Sequence, residues 1–162
     1  MHKFAALFLA AATVIAPMSA TAVSKEYLDS VAATAMKQGH AAYARGDYAT
    51  AINRYGTAIV HSSVGHFEAY TCRGDSWYRY GLYHEKAAMG SPNNSKNLYS
   101  IAASDFAKAI ADYQAALRIK PGYAKAQQGL SAALAAKARV ERGSAPAPTR
   151  PSSPPRPSRS RR

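Results

Sequence analysis

Acidic residues and cysteine are what this chain has least of. Nine Asp and Glu stand against 21 Lys and Arg in 162 residues, and Cys72 is the single cysteine. One thiol closes no internal disulfide, so stability must come from packing. Free cysteine packs as a small hydrophobe, which favours a buried or half-buried structural position for Cys72 over the alternatives, an intermolecular bridge or a reactive thiol. Strand signals are scarce and alanine is abundant from Val31 to Ala138, which disfavours a sheet protein and favours helix throughout. Glycine-rich phosphate loops are absent. No serine stands in a nucleophile-elbow or Ser-x-x-Lys context, so no activated nucleophile is announced. His61 and His66 flank a turn and His84 adjoins Glu85, but no third ligand has suitable spacing. The expectation is a non-enzymatic protein with no cofactor and no metal.

The ends differ from the middle. Met1-His2-Lys3 precedes an apolar run from Phe4 to Ile15, and Ala20-Thr21-Ala22 is a small-x-small signature ahead of Val23. Residues 1–22 therefore read as a secretory signal peptide, the run being too short to span a bilayer comfortably. The protein is expected to be exported, to the periplasm or beyond, and no cysteine near the cleavage site indicates lipid attachment. At the other end, residues 143–162 hold six prolines, five serines, five arginines and no acid. Such a segment buries no apolar surface and is expected to be disordered. Between Val23 and Arg142 the basic excess is six, and the tail adds five more, so a partner of opposite sign is plausible.

Residues 23–142 are expected to form one helical domain organised around an internal repeat. The stretch from Gly46 to Ile59 returns at an offset of 58: Asp47 as Asp105, Ala51 as Ala109, Ile52 as Ile110, Tyr55 as Tyr113 and Ala58 as Ala116. Small alanines seven apart with an aromatic between them shape one helix face for close packing against a neighbour. Ser30 is the expected cap of a first helix ending near Ala44, with Val31, Ala35, Gln38 and Ala42 on its stripe. Gly46 and Asp47 turn the chain into a second helix from Tyr48 to about His61. An offset of 35 relates Gly39 to Gly74, Tyr43 to Tyr78 and Gly46 to Gly81, but the second aspartate arrives only at Asp105. The 23 inserted residues, Leu82 to Ser104, centre on the turn-like Gly90-Ser91-Pro92-Asn93-Asn94-Ser95-Lys96 between two equal flanks. Both helices of this unit are therefore expected to be about two turns longer, projecting as a spur, with Asp105 inside a helix and no longer a cap. Pro121 breaks the chain before a last helix, Ala124 to about Arg142. Its expected inner face is Ala126, Gly129, Leu130, Ala133 and Leu134.

This pattern resembles the tetratricopeptide repeat family over roughly Val31 to Arg142. The positions that carry the resemblance are Gly39, Ala51, Tyr55 and Ala58 in the first repeat, where Ser63 replaces the usual proline, and Gly74, Trp77, Ala109, Tyr113, Ala116 and Pro121 in the second. The implied fold is all-α: a short α-solenoid of two helical hairpins, the second elongated, with a C-terminal capping helix. In that family the first helix of each repeat lines a concave groove. Carried over by position, the groove would present Met36, His40 and Tyr43, then Thr71, Asp75, Tyr78 and Arg79, then Lys125 and Gln128. The family's carboxylate-clamping groove is not matched, because His40 and Thr71 stand where asparagine or lysine would be needed.

Three readings of function follow. The favoured one is an exported scaffold that binds a protein or peptide through the groove, or through Tyr80, Tyr83 and His84 exposed on the spur. Trp77 is expected to pack in the core. The alternative is attachment to an anionic envelope polymer through Arg150, Arg156, Arg159, Arg161 and Arg162; nucleic acid is disfavoured for an exported chain. A third is self-association, since three stacked units are about the minimum for a stable array, leaving a homodimer open.

Overall fold

The computed structural model describes residues 24–62 and 66–144. The expected signal peptide, Ser63 and the five tail arginines lie outside the described residues. Those described form five α-helices and, among them, no strand: α1 Lys25–Ala44, α2 Tyr48–His61, α3 Phe67–Met89, α4 Ser95–Ile119 and α5 Ala124–Ser144, with a 3-10 turn at Pro92–Asn94. The chain is all-α. Each helix packs on the next, and α3 also meets α5.

Local chemistry sets the ends. Ser24 caps α1 by accepting from the Tyr27 amide. Helix α1 therefore starts well before Ser30, and its buried stripe is Ala32, Ala35, Gly39 and Ala42; Gln38 is exposed and Val31 only half-buried. Gly46 adopts a positive φ of 78°, which glycine reaches without steric cost, and Asp47 accepts from the Thr50 amide to open α2. The bounds of α2 are as expected. Gly90 ends α3, and the 3-10 turn leads into α4. The elongation falls unevenly: α4 has 25 residues against 14 in α2, but α3 has 23 against 20 in α1, because α1 itself begins early.

Aromatic rings resting on glycines hold the layers together. A Cβ on Gly39 would stand 2.6 Å from the Tyr55 ring, on Gly81 2.7 Å from Phe106, and on Gly74 and Gly129 3.0 and 2.5 Å from the Tyr113 ring. Around these rings the core is alanine: Ala109, Ala116, Ala126 and Ala133 about Tyr113, and Ala102, Ala136 and Val140 about Phe106. Ala51 and Ala58 are fully buried in the first hairpin. Leu134, expected inside, is 50 % exposed, and Ala136 and Val140 take the inner face. The reason is that α5 runs along the whole elongated α4, so its stripe must continue for four turns. One side of the spur is thereby covered. Pro121 is exposed, so it stops α4 without packing.

Buried charge is matched across helices. Arg73 donates twice to Asp112, at 2.8 and 2.6 Å. Arg139 donates to Glu85 at 2.6 Å through both Nε and Nη2. Asp105, inside α4 as expected, faces His84 Nδ1 at 2.8 Å and Lys108 at 3.3 Å. Among the described residues no buried side-chain polar atom lacks a partner.

Candidate functional site

Helices α1, α3 and α5 present one face each to a common groove. Two adjoining cavities mark it. The larger, about 320 Å³, is lined by Tyr43, Tyr78, Arg79 and Gln128 among others, and the smaller, about 90 Å³, by His40, Tyr55 and Cys72. Tyr43, Asp75 and Lys125 line both, so the two are one continuous depression.

Asp75 is its electrostatic centre. The Tyr113 hydroxyl donates to Asp75 at 2.7 Å, and the Lys125 ammonium lies 2.9 Å away. Burial works against the charge of Lys125, but the hydrogen bond and charge of Asp75 outweigh it and hold the ammonium above its ordinary value. Asp75 and Lys125 thus neutralise each other. Among the described residues Arg79 pairs with no carboxylate, and its Nε reaches the Tyr43 hydroxyl at 3.4 Å, a long contact. The phenols are anchored from behind. Tyr55 pairs with His40 Nδ1 at 3.0 Å, and Tyr78 leans on Phe106 with ring centroids 5.7 Å apart. Burial pushes the Tyr55 and Tyr113 hydroxyls above the usual phenol range, so both remain protonated.

Of the groove residues expected from the sequence, His40, Tyr43, Asp75, Tyr78, Arg79, Lys125 and Gln128 come together. Met36 and Thr71 do not. Met36 packs between the alanine clusters of the first hairpin. Thr71 is buried, its hydroxyl donating to the Phe67 carbonyl within its own helix. The Tyr55 and Tyr113 hydroxyls and Cys72 reach the groove floor without having been expected there. The available signal was tyrosine at the ring position of the repeat, since a buried phenol needs a polar partner. Burial raises the Cys72 thiol above its ordinary value.

The spur residues divide. Tyr83 is 62 % exposed and Tyr80 half-buried, but His84 is held against Asp105, so it is not the free surface group expected. Trp77 is half-buried and packs against the alanine and Tyr113 cluster, in line with the core position expected, with the Lys108 ammonium 4.1 Å above its ring. It borders an outer cavity of about 430 Å³ between α2, α3 and α4. Among the described residues no cluster of three metal-ligating side chains occurs, and no helix is long and apolar enough to cross a membrane. No protein-family model, no curated protein and no solved structure matches the chain.

Proposed function

We propose that the chain is an exported, non-enzymatic, tetratricopeptide-like scaffold that binds a protein or peptide segment in the groove between α1, α3 and α5. The observation that supports this most is the convergence of Tyr43, Asp75, Tyr78, Arg79, Lys125 and Gln128 on one depression. Tyrosine and arginine are the side chains that most often dominate binding energy, because they combine large contact area with hydrogen-bonding tips. The groove is also preorganised. Asp75 is fixed from two sides and Tyr78 is wedged by Phe106, so little ordering is demanded of the protein when a partner binds. With Asp75 and Lys125 paired, Arg79 is the cation left to meet an acceptor on the partner.

The test is capture from envelope extract by the chain and by a Tyr78→Ala, Arg79→Ala version, each washed at low and high salt. A discrete protein retained at high salt by the first and lost from the second supports groove binding. Equal retention by both refutes it. Capture that follows residues 143–162 and washes off in salt refutes it as well, and favours an anionic polymer.

A further inference from the structure

A second aromatic surface lies on the other side of the spur. At 3.6 residues per turn, Trp77, Tyr80, Tyr83 and His84 share a face of α3 roughly opposite the face of Tyr78, Leu82 and Glu85 that meets α5. Ring centroids are 6.4 Å apart for Trp77 and Tyr80 and 6.2 Å for Tyr80 and Tyr83, the latter pair within 7° of parallel. His84, 4.5 Å from Tyr80 and 5.4 Å from Tyr83, props both edge-on and is itself fixed by Asp105. The result is a rigid strip of aromatic faces. Helix α2 approaches only its Trp77 end, through Ile52, Asn53 and Gly56 around the outer cavity. Farther along α3, Tyr83 faces outward, more than half exposed.

The chain carries a segment of matching chemistry. Prolines recur at every third residue as Pro148, Pro151, Pro154 and Pro157. Arginines recur in the same period as Arg150, Arg156, Arg159 and Arg162, with Ser153 filling the missing turn. Polyproline II geometry has three residues per turn, so such a segment would carry these four prolines on one edge and these four arginines on another, with Pro155 and Arg161 on the third. Proline edges of this kind dock on aromatic-lined surfaces, with little conformational entropy left to lose. Composition alone does not demand that period.

Position favours the same meeting. Helix α5 ends beside the spur tip: Arg139 grips Glu85, and a Cβ on Gly143 would stand 3.4 Å from the Tyr99 ring. Three residues, 145–147, bridge about 10 Å, and Pro148 to Pro157 would span about 28 Å in polyproline II geometry. The obstacle is one helix diameter, about 10–12 Å, and the strip from Trp77 to Tyr83 rises only about 9 Å. The segment is long enough to round the tip and cover it.

We propose that residues 148–157 dock in polyproline II form, proline edge down, on the Trp77, Tyr80 and Tyr83 strip of the same chain. The arginine edge is then held outward in a fixed array. This interaction uses the face away from the α1, α3 and α5 groove, so it stands or falls independently of the groove reading.

The full chain is labelled with a photo-crosslinking residue in place of Ser152, which leaves the proline edge intact, digested with trypsin and mapped. Crosslinks concentrated within one chain on the peptide Tyr80–Lys86 are expected, and Tyr83→Ala should reduce them at least fivefold. Trp77, the only tryptophan, reports separately. Replacing Pro151, Pro154 and Pro157 together by alanine touches none of the five helices, and should raise acrylamide quenching of Trp77 about twofold with helical circular dichroism unchanged. Crosslinks spread over all helices, directed into the groove at Tyr43 and Lys125, or formed only between chains would overturn the proposal. So would Trp77 quenching indifferent to the prolines.

Discussion

Replacing Gly129 by alanine is the sharpest test of how the helices are held together. The Tyr113 ring packs against two glycines, and the new Cβ on Gly129 would stand 2.5 Å from two of its carbons. Carbon atoms rest about 3.5–4.0 Å apart, so the ring would have to retreat by about 1 Å. Its freedom to do so is small, since the Gly74 backbone also lies close to the ring, the neighbours are fully buried alanines, and the hydroxyl is tied to Asp75 at 2.7 Å. Overpacking costs about 1–3 kcal/mol, and a ring with no slack belongs at the upper end. Glycine to alanine in a helix interior returns about 1 kcal/mol, leaving a net loss of about 2 kcal/mol. Gly56 provides the control, because its Cβ would meet only Arg73 Nη1 at an ordinary 3.6 Å. Gly56→Ala should therefore stabilise by up to about 1 kcal/mol. Two chemically identical changes move in opposite directions. Urea unfolding followed by circular dichroism should show the Gly129→Ala midpoint falling and the Gly56→Ala midpoint rising at unchanged slope. A Gly129→Ala chain as stable as the parent would refute the reasoning. Tyr113→Leu should mask most of the Gly129→Ala effect, since it removes the ring that clashes.

Arg73→Leu strands the Asp112 carboxylate, which burial holds above its ordinary value even with the guanidinium present. The loss at neutral pH should be about 2–3 kcal/mol, below the figure for a fully buried pair because Arg73 retains some exposure. A carboxylate whose folded pKa lies above its unfolded one favours the fold when protonated, so this deficit must shrink as pH falls toward the ordinary carboxylate range; a deficit that does not change on acidification contradicts the account. Tyr55 and Tyr113, both raised by burial, contribute stability that is complete below about pH 10 and lost as pH rises beyond it. Two of the 11 tyrosines should thus ionise only together with loss of helix, and their ionisation in the intact fold would count against it. Cys72, buried and raised, should react with a thiol reagent at least about tenfold more slowly in the folded chain than in denaturant; equal rates would place it on the surface.

What was legible in the sequence is what local chemistry and repetition decide. Gly46 and Asp47 specify the first turn, and the equal flanks around Gly90 to Lys96 specify the elongated hairpin. The resemblance to helical repeats, carried over by position, assigned Tyr43, Asp75, Tyr78 and Lys125 to one side of the fold, where the structure brings them together. What depended on distant partners was not legible. Asp105 looked like a cap out of place until His84, 21 positions earlier, supplied its partner. Arg73 with Asp112 and Arg139 with Glu85 are joined across 39 and 54 positions, separations at which no spacing rule operates. The start of α1 was misread because Ser24 and Ser30 are equally good caps and the residues between them, Lys25 to Asp29, are too few to show an apolar stripe. Thr71 and Met36 were assigned to the groove by position, although a threonine can satisfy itself on its own helix and a methionine fills whatever gap adjoins it.

The chain of contacts also sets the order in which the molecule comes apart. Helices α3, α4 and α5 all touch one another, whereas the α1–α2 hairpin joins them chiefly along the seam between α2 and α3. Stacked hairpins of this kind open from the end with fewer neighbours, so amide hydrogens of α1 and α2 should exchange through a lower-energy opening than those of α4. His40 and Tyr43 ride on that less secure half, while Asp75, Tyr78 and Lys125 belong to the firmer one. A ligand bridging the groove would therefore act as a clasp across the seam, and its affinity would be set in part by how much fraying it suppresses.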